Sequence, residues 1–421
     1  MSRRLRALII GLIFIIALAT GLGLWYFSAK HRKEFEGTIK VGILHSMTGA
    51  MAVTEKPIID AVLLAIDEIN GQGGLLHKKI IPVIRDGKTD WPTYATEAER
   101  LIKEEKVTAI FGAYTSASRK MVKPIVEEHN SLLFYPAQYE GLETSKNIVY
   151  LGATANQQAI PATIWCLQNL GKRFFLVGSD YVYPRAIHSI IRHVVSARNG
   201  SVVGEEYISP KQNNFADIID KIITASPDVI INNIVGEQNN PFFKALRVAG
   251  ISSEKIPTMS LVVTETELAE FNIDALIGDY GAQNYFQSLN TPTNNRFVSA
   301  FKKKYGANRV ISNHMENAYL GVYFYKFAVT LAQTTETDAV REQLSKVALN
   351  APEEIISIDK NQHIWKAVLI GKIFPNKQFG IVWNSVSTIP PNPYPPFESI
   401  KYWDDMLARI FVQYGNKWWK E

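Results

Sequence analysis

Short β-rich runs alternate with amphipathic helical patterns along this chain, and this alternation limits the possible folds more than any other feature of the sequence. In the first part, strand patterns lie at 38–44, 80–84, 108–111 and 131–134, and helical patterns begin near residues 54, 93 and 116. Strands joined by crossover helices run parallel, and a parallel sheet is stable when helices cover both of its faces. We therefore predict an α/β fold with a doubly wound parallel sheet.

The same alternation starts again after Asn156 and predicts a second unit of the same kind. Its strand patterns lie at 173–177, 201–207, 228–231 and 256–259, and its helical patterns at 156–169, 184–198, 215–224 and 241–249. Further helices are predicted at 296–305, 315–333 and 338–348, and further strands at 367–373 and 379–383. The proline-rich run 390–396 ends the compact body, and one helix is predicted over 399–421. We therefore expect two doubly wound lobes in tandem.

An uncharged apolar run at 7–27 precedes the first lobe. As a helix it is long enough to cross about 30 Å of hydrocarbon, and Trp25 and Tyr26 stand at its interfacial end. The alternative is a cleaved secretory signal with a small-x-small site at 17–19. We expect a retained membrane anchor, because the apolar run continues well past Ala19.

The net charge of +5 is concentrated at the N-terminus, because residues 1–37 contain six Lys and Arg against two Glu. The remaining body is nearly neutral and has no broad attraction for nucleic acid, whose binding depends on many cationic contacts to phosphate. The single cysteine, Cys166, lies in an apolar stretch and has no intrachain partner for a disulfide. We therefore expect no nucleic-acid partner, metal or cofactor.

The sequence lacks the motifs of several common enzyme classes. No G-x-G-x-x-G follows the first strand pattern, and the sequence has no G-K-[ST] phosphate loop, no H-E-x-x-H and no G-x-S-x-G. The eight histidines are scattered along the chain. We therefore expect that the protein is not an enzyme.

Polar loops follow several of the predicted strands. They lie at 45–49, 112–116, 135–141, 178–185 and 235–239. In an open parallel sheet the ligand crevice lies at the carboxyl ends of the strands, so tyrosines and carboxylates from separate loops are expected to converge there. Thr115 and Ser116 fit two interpretations: ordinary helix N-caps, or hydroxyl donors for a ligand oxygen beside the helix N–H groups. Both interpretations remain open.

Five stretches at or near these loops carry a resemblance to a known family: GILHSMTG at 42–49, YTSASRK at 114–120, LFYPAQYEG at 133–141, NQQAIP at 156–161 and GSDYVYPR at 178–185. They resemble the urea and short-chain amide branch of the type I periplasmic binding proteins, which are related to the leucine/isoleucine/valine-binding proteins. The similarity extends over about 38–383. The family fold has two α/β lobes, joined by three crossovers, that close on a small ligand.

The resemblance implies a division of the chain and a set of ligand contacts. The first lobe would comprise 38–155 and 287–345, the second 156–286 and 346–389, with an anchor and linker at 1–37 and a tail at 390–421. Tyr114 and Ser116, beside Thr115, would meet the oxygen end of the ligand, and Tyr135 and Tyr139 would wall the pocket. Gln138 matches the members that transport urea. The expected acceptors from both lobes are Glu140, Asp180, Tyr181, Tyr183 and Glu237.

From this resemblance we expect the solute-binding component of an ABC transporter for urea or short amides. It would lie in the periplasm, tethered by its N-terminal helix or free if the helix is cleaved, and would deliver its ligand to permease subunits. Two alternatives stay open: a ligand-sensing receptor ectodomain for amides, and a branched-chain amino acid-binding protein.

Overall fold

The computed structural model describes residues 35–209, 212 and 214–420. The membrane helix predicted at 7–27 lies outside the described residues. Within the part that is described, no helix combines the length and hydropathy that a membrane crossing requires.

The first lobe begins with a parallel sheet. Its elements are β1 (Thr38–His45), α1 (Ala52–Gly71), β2 (Lys79–Asp86), α2 (Trp91–Lys103), β3 (Ile110–Gly112), α3 (Ser116–Glu128), β4 (Leu133–Tyr135) and β5 (Ile148–Tyr150). The strand order is β2-β1-β3-β4-β5, and every neighbouring pair is parallel. The central strands are buried because helices cover both faces, as their continuous apolar sequences predict.

The chain then builds the second lobe. Its elements are α4 (Ala159–Asn169), β6 (Arg173–Ser179), α5 (Val182–Ala197), β7 (Ser201–Ile208), α6 (Ala216–Ala225), β8 (Val229–Asn233), α7 (Asn239–Val248), β9 (Thr258–Ser260), α8 (Glu265–Glu270) and β10 (Tyr280–Gln283). Strands β6 to β10 pair in parallel. The second doubly wound unit predicted from the sequence is therefore present.

After β10 the chain returns to the first lobe. It forms α9 (Pro292–Tyr305), α10 (Asn313–Ala332), α11 (Thr337–Leu344), β11 (Ala348–Asn350) and β12 (Ile355–Ser357). Phe301 of α9, Phe324 of α10 and Leu344 of α11 are buried in the same hydrophobic core as the first sheet. The first lobe is thus completed by residues far from its beginning in the sequence.

A third crossing leads back to the second lobe. Strands β13 (Leu369–Ile373) and β14 (Phe379–Asn384) join its sheet as antiparallel edge strands and give the order β14-β13-β10-β9-β8-β6-β7. Ile358 and Ile364, which precede β13, still pack in the first core. The lobe boundaries remain predictions, and we propose to place the third crossing near residue 365 in place of 346.

The C-terminal segment packs on the second lobe. It forms α12 (Ile400–Gln413), which begins with the Ser399 Oγ accepting from the Tyr402 amide at 3.1 Å. Trp403 is fully buried in the core that α5 also lines. The helix predicted over 399–421 is shorter in the structure, because Gly415 and Asn416 take left-handed backbone angles, φ +66° and +63°, that end it.

Candidate functional site

A cavity of about 610 Å³ lies in the cleft between the lobes. It stands at the carboxyl ends of β1, β3, β6 and β8, as expected for an open parallel sheet. The lining includes Met51, Trp91 and Thr115 from the first lobe, Tyr181 and Glu237 from the second, and Trp419 from the C-terminal segment. A volume of this size suits a small organic ligand.

Four of the residues predicted from the sequence line this cavity: Thr115, Asp180, Tyr181 and Glu237. Thr115 is also the N-cap of α3, because its side chain accepts from the Ser118 amide at 3.1 Å. The two interpretations of Thr115 are therefore compatible. Glu237 is exposed at the rim, and it follows Gly236, whose φ of +68° suits glycine.

Ser116 and Glu140 lie behind the cavity in a buried ionic network around Arg119. The guanidinium donates to Glu140 Oε1 from Nη2 at 3.0 Å and to Glu143 Oε1 from Nε at 2.9 Å. It also donates from Nη1 to Ser116 Oγ at 3.0 Å, and the Ser116 hydroxyl donates to Glu140 Oε2 at 2.5 Å. Arg119 is fully buried. The Ser116 proton is therefore engaged within the protein.

Two cations in this network, Arg119 and Lys120, keep the carboxylate of Glu143 ionised. Burial raises the pKa of Glu143, but the charges of Arg119 and Lys120 outweigh it and hold that pKa well below its usual range. Lys120 Nζ donates to Glu143 Oε2 at 2.8 Å. Arg119 was not predicted as a site residue, although it lies three positions after Ser116 on α3 and therefore on the same helix face. The three-residue spacing from Ser116 was the sequence feature that could have identified Arg119 as part of this network.

Tyr135 and Tyr139 pack against the Arg119 guanidinium, whose central carbon lies 5.0 and 4.3 Å from their ring centroids. The Tyr135 hydroxyl donates to the Tyr114 carbonyl at 2.7 Å. The Tyr139 hydroxyl is hydrogen-bonded to His363 Nε2. These two tyrosines thus enclose the buried arginine, and neither belongs to the described lining of the cavity.

Gln138 connects the two lobes. Its Nε2 donates to the Leu261 carbonyl of the second lobe at 3.1 Å, and its Oε1 accepts from His314 Nε2 at 2.6 Å. Burial, with a smaller effect from nearby His45, lowers the pKa of His314 to about 3, so this ring is neutral. The Tyr114 ring stands edge-on to His314 at a centroid distance of 4.9 Å.

Tyr183 carries a buried hydroxyl that makes no hydrogen bond of normal geometry to a described residue, although the Gln138 side chain lies close enough to lower its pKa slightly. Its side chain is 2% exposed. Burial, followed by the Glu140 charge, raises the pKa of Tyr183 and keeps the hydroxyl protonated. The ring of Tyr181, which lines the cavity, lies 6.2 Å from the ring of Tyr183. Tyr183 itself is not in the described lining of the cavity.

Asp180 is engaged by the protein itself. Its Oδ1 accepts from Arg185 Nη2 at 2.7 Å and from the Tyr414 hydroxyl at 2.5 Å, and Lys420 Nζ lies 3.5 Å from its Oδ2. The predicted acceptor therefore anchors the C-terminal segment beside the cavity.

Among the described residues, no group of three or more His, Cys, Asp and Glu side chains is placed to hold a metal ion. Cys166 is buried, and burial raises its pKa.

The sequence profile described as a periplasmic binding protein domain matches residues 39–400, which is most of the chain. The chain belongs to the periplasmic binding protein family. The lobes, the crossovers and the cleft described above agree with this assignment, and the predicted type I fold is confirmed by the solved structures that follow.

The alignments of this periplasmic binding protein with curated relatives cover very different shares of those relatives. It is 22% identical over 379 residues to Leu/Ile/Val-binding protein homolog 7 of Brucella melitensis, covering 83% of this chain and 92% of the relative. It is 36% identical over 116 residues to limonene hydroxylase of Geobacillus stearothermophilus, covering 28% of this chain and 21% of that protein. The chain thus spans about a fifth of the length of the second relative.

Solved structures show the same fold. The solute-binding protein of an ABC transporter from Rhodopseudomonas palustris BisB5, in complex with 3,4-dihydroxybenzoic acid, has a TM-score of 0.77 and 22% identity, covering 84% of this chain and 99% of that one. Its likeness confirms the type I architecture. The urea and amide branch stays a prediction.

Proposed function

We propose that this periplasmic binding protein is the solute-binding component of an ABC transporter, which takes its ligand in the cleft and presents it to permease subunits from the periplasm. Membership of the family and the fold shared with solute-binding proteins of ABC transporters support this role. The cavity between two lobes supports it further, because a hinged pair of lobes converts ligand capture into a change of shape. A sensing receptor would use the same closure and remains the alternative.

We propose urea or a short amide as the ligand, and the polar lining of the cavity carries this proposal. The described lining contains no Lys or Arg, and its carboxylates are Glu237 and Glu270, which are exposed, and Asp180, which is already paired with Arg185. Urea has four N–H donors and one acceptor, so it suits a wall rich in acceptors, whereas a carboxylate ligand would be repelled there. The buried Tyr183 hydroxyl, which makes no hydrogen bond of normal geometry, supplies one further polar group behind the lining.

A branched-chain amino acid is the second candidate. The cavity is larger than urea needs, and Met51, Val53 and Phe271 give it apolar walls. The relative from Brucella is named for binding leucine, isoleucine and valine. Against this candidate, the one guanidinium in the buried network, that of Arg119, already pairs with Glu140 and Glu143 and would not be free for a carboxylate.

Calorimetry on the full chain tests the proposal with urea, acetamide, formamide, leucine and 3,4-dihydroxybenzoate as probes. We expect one molecule of urea or of an amide to bind per chain, with little binding of the two carboxylates. Binding of leucine without binding of urea or an amide would overturn the ligand class. Chemical conversion of a bound probe would overturn the assignment as a binding protein.

A further inference from the structure

The last described residues of the C-terminal segment run along the loop that follows β6 in the second lobe. The Val182 amide donates to the Trp418 carbonyl at 2.9 Å, and the Lys420 amide donates to the Asp180 carbonyl at 3.2 Å. Tyr181 and Trp419 form an antiparallel bridge between these two contacts. Residues 418–420, hereafter the strap, thus add a short extended segment to the edge of the cleft.

The side chains of the strap reach the opposite lobe. The Trp419 ring meets the Trp91 ring of the first lobe edge-on, with centroids 6.3 Å apart and planes at 73°. Lys120 of the first lobe places its ammonium 4.5 Å from the centroid of the Trp418 ring. Both are favourable geometries for aromatic and cation–π contacts. The strap is therefore bound to one lobe by its backbone and to the other by its rings.

The position of the strap is fixed from within the second lobe. The Tyr414 hydroxyl and the Arg185 guanidinium both bind Asp180, directly before the residue that pairs with Trp419. The Phe411 ring of α12 packs on the Trp418 ring with centroids 4.6 Å apart. Asp180 and Tyr414 are buried. These contacts hold Trp419 in the lining of the cavity.

We propose that Trp419 is a ligand-contacting residue that sets the size of ligand the cleft accepts, and that the strap holds the two lobes in the closed arrangement. This inference rests on the proposed function of the cleft as a ligand site. The family profile ends at residue 400, so this wall is supplied from outside the matched region. The indoles of Trp91 and Trp419 contact each other and narrow the cavity. A small ligand can pack against the Trp419 ring, whereas a larger ligand would have to push that ring aside.

The variant W419A tests the inference in the full chain, with W419F as the conservative variant and W383A as a control. Trp383 is a partly buried tryptophan of β14 and is not in the described lining of the cavity. For the small probe that the parent binds, W419A should bind about 10-fold more weakly, the usual scale for truncating an aromatic anchor. W419F should recover part of that loss, and W383A should bind as the parent does. W419A should also bind leucine or 3,4-dihydroxybenzoate more tightly than the parent does.

Hydrogen exchange without any probe tests the strap separately. In W419A the Val182 amide and the segment around Trp91 should exchange faster than in the parent, whereas in W383A they should not. Unchanged affinities for the probes together with unchanged exchange would overturn the inference. If the parent itself binds no probe, the proposed ligand class fails, and the exchange comparison still decides whether the strap joins the lobes.

Discussion

The Thr54 hydroxyl of the first lobe donates a 2.7 Å hydrogen bond to Glu267 Oε1 of the second lobe. The other carboxylate oxygen of Glu267 accepts from the Thr264 hydroxyl at 2.6 Å and from its amide at 2.9 Å, which forms a capping box at the start of α8. Thr54 and Glu267 are both buried. This bond joins the two lobes, so an opening of the cleft would have to break it.

The variant T54V should weaken binding by about 5-fold, the value of one buried hydrogen bond, because it removes a hydrogen bond between the two lobes. Small-angle X-ray scattering with ligand present should show a larger radius of gyration than in the parent. The matched control is T48V, because Thr48 donates to Asp86 Oδ2 at 2.8 Å within the first lobe. Equal effects of the two variants on affinity would contradict this role for Thr54.

The variant R119M should lower the free energy of unfolding by about 3–5 kcal/mol, because it leaves Glu140 and Glu143 buried without their cation. Guanidinium chloride denaturation is the suitable measurement, since urea is itself a probe ligand. As a control, R100M removes an arginine that is 52% exposed and pairs with Glu97 on α2. R100M should unfold almost as the parent does. An R119M protein as stable as R100M would show that the network contributes no stability.

The variant Y183F should leave stability unchanged or slightly increased, because it removes a buried hydroxyl that makes no hydrogen bond of normal geometry. Its affinity for urea should fall by about 5- to 20-fold, if the hydroxyl serves the ligand. The control Y325F should behave in the opposite way, because the Tyr325 hydroxyl donates to Thr108 Oγ1 at 2.6 Å far from the cleft. Thermal unfolding and calorimetry measure the two effects. Unaltered urea affinity in Y183F would remove this tyrosine from the site.

Burial raises the pKa of Glu265 from near 4.5 to about 8. The folded protein therefore holds this proton up to about pH 8, whereas the unfolded chain releases it above pH 4.5, so its contribution to stability is lost as the pH rises between these values. The loss is on the order of 5 kcal/mol. Asp279, with its pKa raised by burial to about 7, acts in the same direction.

The variant E265Q should flatten the decrease in unfolding free energy between pH 5 and 8, because its amide keeps the acceptor for the Gln287 amide without a titrating proton. Denaturation curves at several pH values provide the measurement. E270Q, at the exposed end of the same helix, should keep the slope of the parent. If the unfolding free energy of E265Q decreased with pH as steeply as that of the parent, Glu265 would be excluded as the titrating group.

The alternation of strands and helices was sufficient to predict two doubly wound lobes, whereas the return of the chain to the first lobe was expected only from the family resemblance. The strand predicted at 201–207 is β7, Ser201–Ile208, and the helix predicted at 184–198 is α5, Val182–Ala197. Strand β10, Tyr280–Gln283, was not predicted because YGAQ has no run of branched residues, and its pairing with β9 and β13 determines its conformation. Tertiary pairing overrides weak local preference in such short strands.

Some of the predicted site residues line the cavity, and others lie in the buried network around Arg119. The rule for strand ends located Thr115 and Tyr181 at the cavity. It could not show that Ser116 and Glu140 are bound to Arg119, because side-chain pairing depends on packing between loops that are distant in sequence. For the same reason the sequence could not show that Trp419 lines the cavity beside Trp91, because 328 positions separate the two residues in the chain.

The first hydrophobic core contains residues from both sides of the second lobe in the sequence, from Ile39 to Ile364. Contacts of such long range require closure of large loops before they stabilise the chain, which slows folding. The N-terminal sheet alone therefore lacks α10, which packs on β3 and β4, until that helix has been added. We expect strands β6 to β9, which are contiguous in the sequence, to acquire protection before the first lobe during refolding. During that interval the uncovered sheet would be the region most exposed to aggregation.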